Sequence, residues 1–375
     1  MIINTNSLHI PLVSNCVNCV VTSPPYFGHR DYQTATWVGG DSNCTHIQRN
    51  QVHGGEAARP YQESVTFHYK GKCELCGAVS IDNQLGMEDT PEKFVNNLVI
   101  VFREIWRVLK GDGVAFLNLG DTYMSSGGAS RHLGYSDPKY KNGRNGEHIE
   151  PQAFKHEYIR PKSLIGIPWR VALALQQEGW IIRNDIVWTK NNPLPESVTD
   201  RFTKSHEYVF MLSKSERYYF NAKAVEEPSV TYQYEKRNIP GVVRDRSHDY
   251  DSKIKKMNNI TGNMSKRGVT RTTKELNLKP QEDKTYATRN RRDVFNINTK
   301  PCNLAHFAVM PEELVNICIL AGCPEDGTVL DPFCGAGTTG LVAKTNSRKF
   351  IGLELNMDFI KIAEKRLFAV TPKMF

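Results

Sequence analysis

Apolar residues recur along this chain with two different spacings, and the switching between them predicts the elements. Around 17–21 the side chains are mostly apolar in a row, the pattern of a buried strand, and Pro24-Pro25 stop it. Over 91–109 the period lengthens, and Phe94, Leu98, Val101, Ile105 and Val108 form one face of a helix. Thr90 is placed to cap that helix, Pro91 suits its first turn, and Gly111 follows its end. Residues 114–119 then predict a strand, closed by Gly120-Asp121. Strand, crossover helix and strand make up the repeating unit of a mainly parallel sheet.

The pattern continues with a helix at 168–178, a strand at 180–188 and further strand material over 205–220, read as a hairpin. After 311 it gives a helix (311–321), a strand (328–330), a glycine loop, a helix (338–345), a strand (349–353) and a last helix (356–367). Segments 29–88 and 123–160 are polar and glycine-rich without a sustained period, and no internal repeat is visible. The expected fold class is α/β, a mainly parallel twisted sheet with helices on both faces, carrying inserted loop regions.

Composition narrows the picture. With 375 residues, 39% apolar and 23% charged, the chain can bury a full core. No apolar run approaches the roughly 20 residues that span a bilayer, and the first residues lack the basic region and cleavage site of a signal peptide. A cytoplasmic protein is expected, so the nine cysteines point to thiols or metal ligands rather than disulfides. The net charge of +8 is concentrated: residues 231–300 hold 17 Lys or Arg against 8 Asp or Glu, a local surplus of +9. Such a segment suits a polyanion, with nucleic acid foremost, although a solvated basic loop has the same composition.

Two motifs carry the chemistry. Thr22-Ser23-Pro24-Pro25-Tyr26-Phe27-Gly28 lies just past a strand end, where open α/β sheets place their ligands. Ser23 offers a hydroxyl, Pro24 and Pro25 offer carbonyls without a competing N–H, and Tyr26 offers a flat face. The set suits a planar group bearing an exocyclic amine, but alone it is also an ordinary strand-ending turn. The second motif, Asp331-Pro332-Phe333-Cys334-Gly335-Ala336-Gly337-Thr338-Thr339, follows a strand and opens a helix, which lets the backbone approach a ligand closely. Glu354, at the end of the next strand, stands at the spacing of an acidic residue that accepts from ribose hydroxyls. By itself Glu354 could equally be a solvated charge beside a helix start.

Together these residues resemble the DNA amino-methyltransferases. DPFCGAGTTG is similar to their S-adenosylmethionine loop, and TSPPYFG to their catalytic Pro-Pro-Tyr motif. The catalytic motif comes first, the cofactor loop last and a basic region between them, a permuted order that resembles the β group. Residues 303–311, NLAHFAVMP, are similar to the segment that precedes the loop and lines the methionine side of the cofactor, with His306 in it. The resemblance implies a Rossmann-like fold and a target base flipped out of the duplex. It implies that Ser23 and the Pro24 carbonyl accept from the amine and that Tyr26 stacks on the ring, with Pro25 completing the turn. It implies a cofactor pocket shaped by His306, Asp331, Phe333, Gly335, Gly337 and Thr338, with Glu354 on the ribose. Cys334 is expected to be a small buried filler. Ser at position 23 is more often seen with cytosine N4 in this family, and Asp with adenine N6, so cytosine is favoured and adenine is the alternative. A catalytically degenerate DNA-binding protein and a methyltransferase for RNA or protein amines are the contrasting readings; the intact motifs and the basic insert disfavour them.

Asp31 could orient the base or form a structural ion pair, and Asp121 could face the pocket or cap a turn. Cys44, His46, Cys73 and Cys76 form a further constellation, Cys-x-His with Cys-x-x-Cys-Gly, whose four ligands suit tetrahedral Zn2+. His53 and His68 are substitutes for His46, and unrelated thiols are the alternative. The expected layout is a catalytic half over 1–230 with a zinc-binding insertion at 38–88, a basic target-recognition region over 231–300, and a cofactor half over 301–375. Double-stranded DNA is the expected partner, a cognate restriction endonuclease is a candidate, no membrane is expected, and monomer or homodimer is left open.

Overall fold

The computed structural model describes residues 1–28, 34, 36–44, 72–73, 75–81, 84–124, 156–193, 195–229, 287–299 and 309–370. In chain order the strands are β1 (Ile2–Asn4), β2 (Val17–Thr22), β3 (Thr36–Val38), β4 (Val79–Ile81), β5 (Leu109–Leu119), β6 (Ile181–Thr189), β7 (His206–Ser213), β8 (Glu227–Pro228), β9 (Thr288–Arg289), β10 (Val294–Asn296), β11 (Thr328–Asp331) and β12 (Lys349–Glu354). The helices are α1 (Pro91–Val108), α2 (Ile167–Gln177), α3 (Glu312–Gly322), α4 (Thr338–Thr345) and α5 (Met357–Phe368).

These residues divide into two compact units, one formed by Met1–Val225 with Arg292–Phe375 and the other by Glu226–Arg291. In the first, eight strands form one sheet in the order β1-β12-β11-β2-β5-β7-β6-β10. Every pairing is parallel except those of β7, which runs antiparallel to both β5 and β6. In the second unit β8 and β9 pair antiparallel, with Arg289 on Glu227 at 2.9 Å.

Alternation along the central strands sorts side chains to two cores. Val20, Ala115, Leu117, Phe210 and Leu212 pack with α1 and α2 on one face. Cys19, Val21, Val114, Phe116, Val209 and Met211 pack with α3 on the other. A sheet covered on both faces needs such strands, which explains their near-continuous apolar runs. Helix α1 begins as its sequence predicts: Thr90 accepts from the Lys93 N–H at 3.2 Å, and Pro91 fills the first turn.

Four features differ from the expectation. β5 starts at Leu109, directly out of α1, five residues before the apolar run at 114. Residues 205–220 hold one strand, not a hairpin; the hairpin partner of β7 is β6. The edge strands β1 and β10 were not expected, since three residues each are too few to show a period. β10 also places Arg292–Thr299, the end of the 231–300 segment, in the sheet unit, where the Trp188 indole donates to the Ile297 carbonyl at 2.8 Å.

Candidate active site

β2 leads through α1 to β5 on one side, while β11 leads through α4 to β12 on the other. The crevice at the carboxyl ends of β2 and β11 is therefore the switch point at which such sheets bind ligands. Thr22 and Asp331 end these strands, and the Thr22 hydroxyl donates to Asp331 Oδ1 at 2.7 Å. The Thr339 hydroxyl donates to Oδ2 at 2.7 Å and the Phe333 N–H to Oδ1 at 3.1 Å. Burial pushes the Asp331 carboxyl up to about 6 against the pull of these three bonds.

The loop after Asp331 is built largely from backbone. Gly335 and Gly337 take positive φ of 49° and 78°, and the Gly337 N–H donates to the Cys334 carbonyl at 2.8 Å. A Cβ on Gly337 would lie 2.8 Å from that of Ala363, so glycine lets the loop sit on α5. Glu354, ending β12, accepts from the Gly335 N–H at 2.8 Å and the Asn356 N–H at 2.9 Å. Burial raises its carboxyl above the ordinary value, opposed by these backbone bonds. A cavity of about 870 Å3, its open mouth included, is lined by Ser23, Pro25, Phe333, Gly335, Thr338 and Glu354 among others. Both motifs thus meet in one cavity. Its carboxylate and its close-approach glycines fit a nucleoside-bearing cofactor.

Tyr26 is held from behind. Its ring lies against Gly120, where a Cβ would fall 2.5 Å from the ring edge. Its hydroxyl donates to Glu207 Oε2 at 2.5 Å and accepts from Asn118 Nδ2 at 2.8 Å. The same Nδ2 lies 3.0 Å from Glu207 Oε2 and 3.3 Å from Ser23 Oγ. The Lys190 ammonium pairs with Glu207 Oε1 and sits 4.2 Å over the Trp188 ring. Burial would raise the Glu207 carboxyl; Lys190 and the hydrogen bonds outweigh it and hold the group below its ordinary value. Sequence reasoning missed Asn118, Lys190 and Glu207. Asn118 stands alone as a polar residue in the run 114–119, and Glu207 is the acidic residue at the start of the strongly apolar strand β7. A lone polar residue in a buried strand was the available signal.

Asp121 takes the capping role: its carboxylate accepts from the Gly166 and Ile167 N–H groups at the start of α2. Cys334 is buried, its sulfur in the space that a Cβ on Gly352 would need. Asp31, His46, His53, His68 and His306 lie outside the described residues.

Away from this crevice, the thiols of Cys44, Cys73 and Cys76 lie within 4.8 Å of one another, with Cys44 and Cys73 sulfurs 3.8 Å apart. Tetrahedral zinc with Zn–S of about 2.3 Å sets its sulfurs roughly 3.8 Å apart. The Gly77 N–H donates to the Cys73 carbonyl at 2.8 Å, closing a tight turn that holds Cys73 and Cys76 together. The donor set and spacing fit such an ion.

A chain that carries a Pro-Pro-Tyr turn ahead of a distant glycine loop, yet folds both onto the carboxyl ends of neighbouring strands, has the Rossmann-like plan of a methyltransferase in permuted order. Residues 17–365 match the family model for N6 and N4 methyltransferases described as DNA methylase. Type II methyltransferase M.Cfr9I of Citrobacter freundii is 35% identical over 95% of this chain and 83% of its own length. Type II methyltransferase M.SmaI of Serratia marcescens is 35% identical over 95% of this chain and 86% of its own length. The solved PvuII DNA methyltransferase (cytosine-N4-specific) superposes with a TM-score of 0.53 at 15% identity, covering 100% of this chain and 87% of that one, a likeness of fold. The chain belongs to the DNA methylase family and is an S-adenosylmethionine-dependent DNA amino-methyltransferase. Among the described residues, no helix is long and apolar enough to cross a membrane.

Proposed function

We propose that this enzyme methylates the N4 amine of cytosine in double-stranded DNA, with the target base flipped into the crevice at Ser23–Tyr26. The observation that carries the site is the shared cavity, which Ser23 and Pro25 line together with Phe333, Gly335 and Glu354. S-adenosylmethionine supplies an electrophilic methyl group. The chain's own part is positioning: Ser23 and the Pro24 carbonyl accept from the amine, Tyr26 stacks on the ring, and Glu354 meets ribose hydroxyls. Phe333, Gly335, Gly337, Thr338 and His306 complete the cofactor side. Ser23 carries the choice of cytosine, and the PvuII relative described as cytosine-N4-specific is consistent with it. Incubating the enzyme with DNA and methyl-labelled cofactor, then identifying the modified nucleoside, tests this. N4-methylcytosine is expected; N6-methyladenine overturns the base assignment, and no labelled base overturns the activity.

The basic region 231–300 is proposed to recognise the target. Neutralising part of its 17 Lys and Arg should weaken DNA binding and flatten its salt dependence, and unchanged binding refutes the role. The Type II relatives favour a cognate restriction endonuclease as partner.

A second reading rests on the thiol cluster: Cys44, Cys73 and Cys76, with His46 as fourth ligand, hold a structural zinc that ties β3 and β4 together. Metal analysis of purified protein should find one zinc per chain, lost in a Cys73→Ser/Cys76→Ser variant. No zinc, or zinc unchanged in the variant, removes the site.

A further inference from the structure

We propose that Glu207 is a positioning residue for catalysis, acting through the Tyr26 hydroxyl to fix the aromatic face and make it electron-rich where the base will stack. This rests on Tyr26 being the stacking residue of the proposed function. The geometry is built for it. Glu207 and Lys190 form an ion pair whose side chains are only 15% and 17% exposed, 181 and 164 positions from Tyr26 in the chain. Such a pair is costly to desolvate and weak evidence for stability, so its worth lies in what it orients. One Glu207 oxygen takes Lys190, and the other takes both the Tyr26 hydroxyl and the Asn118 amide.

Asn118 supports the same conclusion. Its Nδ2 lies between Tyr26, Glu207 and Ser23, while its buried Oδ1 has no hydrogen-bond partner among the described residues. Turning the amide over would set an oxygen against the Glu207 carboxylate, so Glu207 also decides which end of Asn118 faces the turn. An orphaned buried acceptor costs stability. A strand residue tolerates it here because Nδ2 is needed on Ser23 and Tyr26.

The consequence is specific to the transition state. When the cofactor is bound, the amine nitrogen would form its bond to the methyl carbon as the methyl–sulfur bond breaks and its electron pair stays on the leaving sulfur; the base then carries positive charge until an amine proton passes to water, and an aromatic face attracts positive charge. A phenol donating to a carboxylate has a more negative ring than one donating to water. Stabilisation of charge that appears only during reaction raises kcat rather than lowering KM.

The test is a kinetic cycle on a duplex carrying the mapped site, with Glu207→Gln, Tyr26→Phe and their combination. Because Glu207→Gln strands Lys190, the charge-balanced Glu207→Gln/Lys190→Gln variant is included. Glu207→Gln and the balanced variant should each lower kcat by roughly 10-fold with KM for DNA and cofactor within about 2-fold. Tyr26→Phe should lose a similar factor, and adding Glu207→Gln to it should cost less than about 2-fold more. Multiplicative losses in the combined variant, restored kcat in the balanced variant, or a loss confined to KM would each overturn the proposal. A Tyr26→Ala control separates the two levels. If it is inactive while Glu207→Gln is fully active, only this inference fails; if it too is fully active, the stacking assignment itself fails.

Discussion

The two turns that meet in the crevice are constructed on opposite principles. The cofactor loop satisfies itself mostly from nearby: Asp331 binds the N–H of Phe333 and the hydroxyl of Thr339, and Gly335 reaches Glu354 nineteen residues on, with Thr22 on Asp331 and Ser7 on the Pro332 carbonyl as its distant bonds. The Ser23–Tyr26 turn satisfies itself at a distance, through Asn118, Glu207 and Lys190, contributed by three other strands or their ends. Binding an invariant cofactor needs a fixed backbone cradle, and a short motif can encode one. Gripping a base for reaction needs side chains whose charge and orientation are set by a surrounding shell. The loop should therefore tolerate damage to the turn, while the turn has no means of standing alone.

The largest expected effect separates them outright. Tyr26→Ala should lower kcat by at least roughly 100-fold, from lost stacking and lost orientation, while cofactor affinity by calorimetry stays within about 2-fold. A parallel loss of cofactor binding would show that the two turns are one unit.

Asp331 is where they are joined, and pH reads that joint. Its carboxyl, raised from 3.8 to about 6 by burial, favours the folded state most when protonated. The contribution is fully present below 3.8 and is lost as pH rises through about 6. Between pH 4 and pH 7 the stability of wild type relative to Asp331→Asn should therefore fall, by on the order of 2–3 kcal/mol. Parallel thermal melts of the two proteins across that range check this, and a constant gap would place the ionised carboxylate at no cost.

The smallest effect belongs to the loop alone. Gly337→Ala puts a Cβ 2.8 Å from Ala363 in a left-handed conformation, a destabilisation of about 1–2 kcal/mol. It should weaken cofactor binding about 10-fold and leave DNA affinity unchanged. Equal weakening of both ligands would erase the distinction drawn between the turns.

The same contrast decides what could be read from sequence. The helix over 338–345, the capping of α1 by Thr90 and the glycine loop were legible because their causes lie within a few residues. So was the meeting of Ser23 with the cofactor loop, through the family resemblance. The roles of Asn118 and Glu207 were not, since both sit in apolar strands and acquire meaning only when β5 and β7 pair antiparallel, with Asn118 opposite Val209. β10 was illegible for a related reason: its pairing with β6 comes from the sheet, and nothing in its three residues announces a strand.

The bond from Thr22 to Asp331 spans 309 positions, and β1 takes its place in the sheet by pairing with β12. On the ribosome, the first strands of this protein are made long before their neighbours exist. Closure of the sheet waits until β12 has emerged, and contacts this distant make for slow folding. A nascent chain that still lacks β12 therefore has no assembled crevice, and the ability to mark DNA arrives abruptly with that strand.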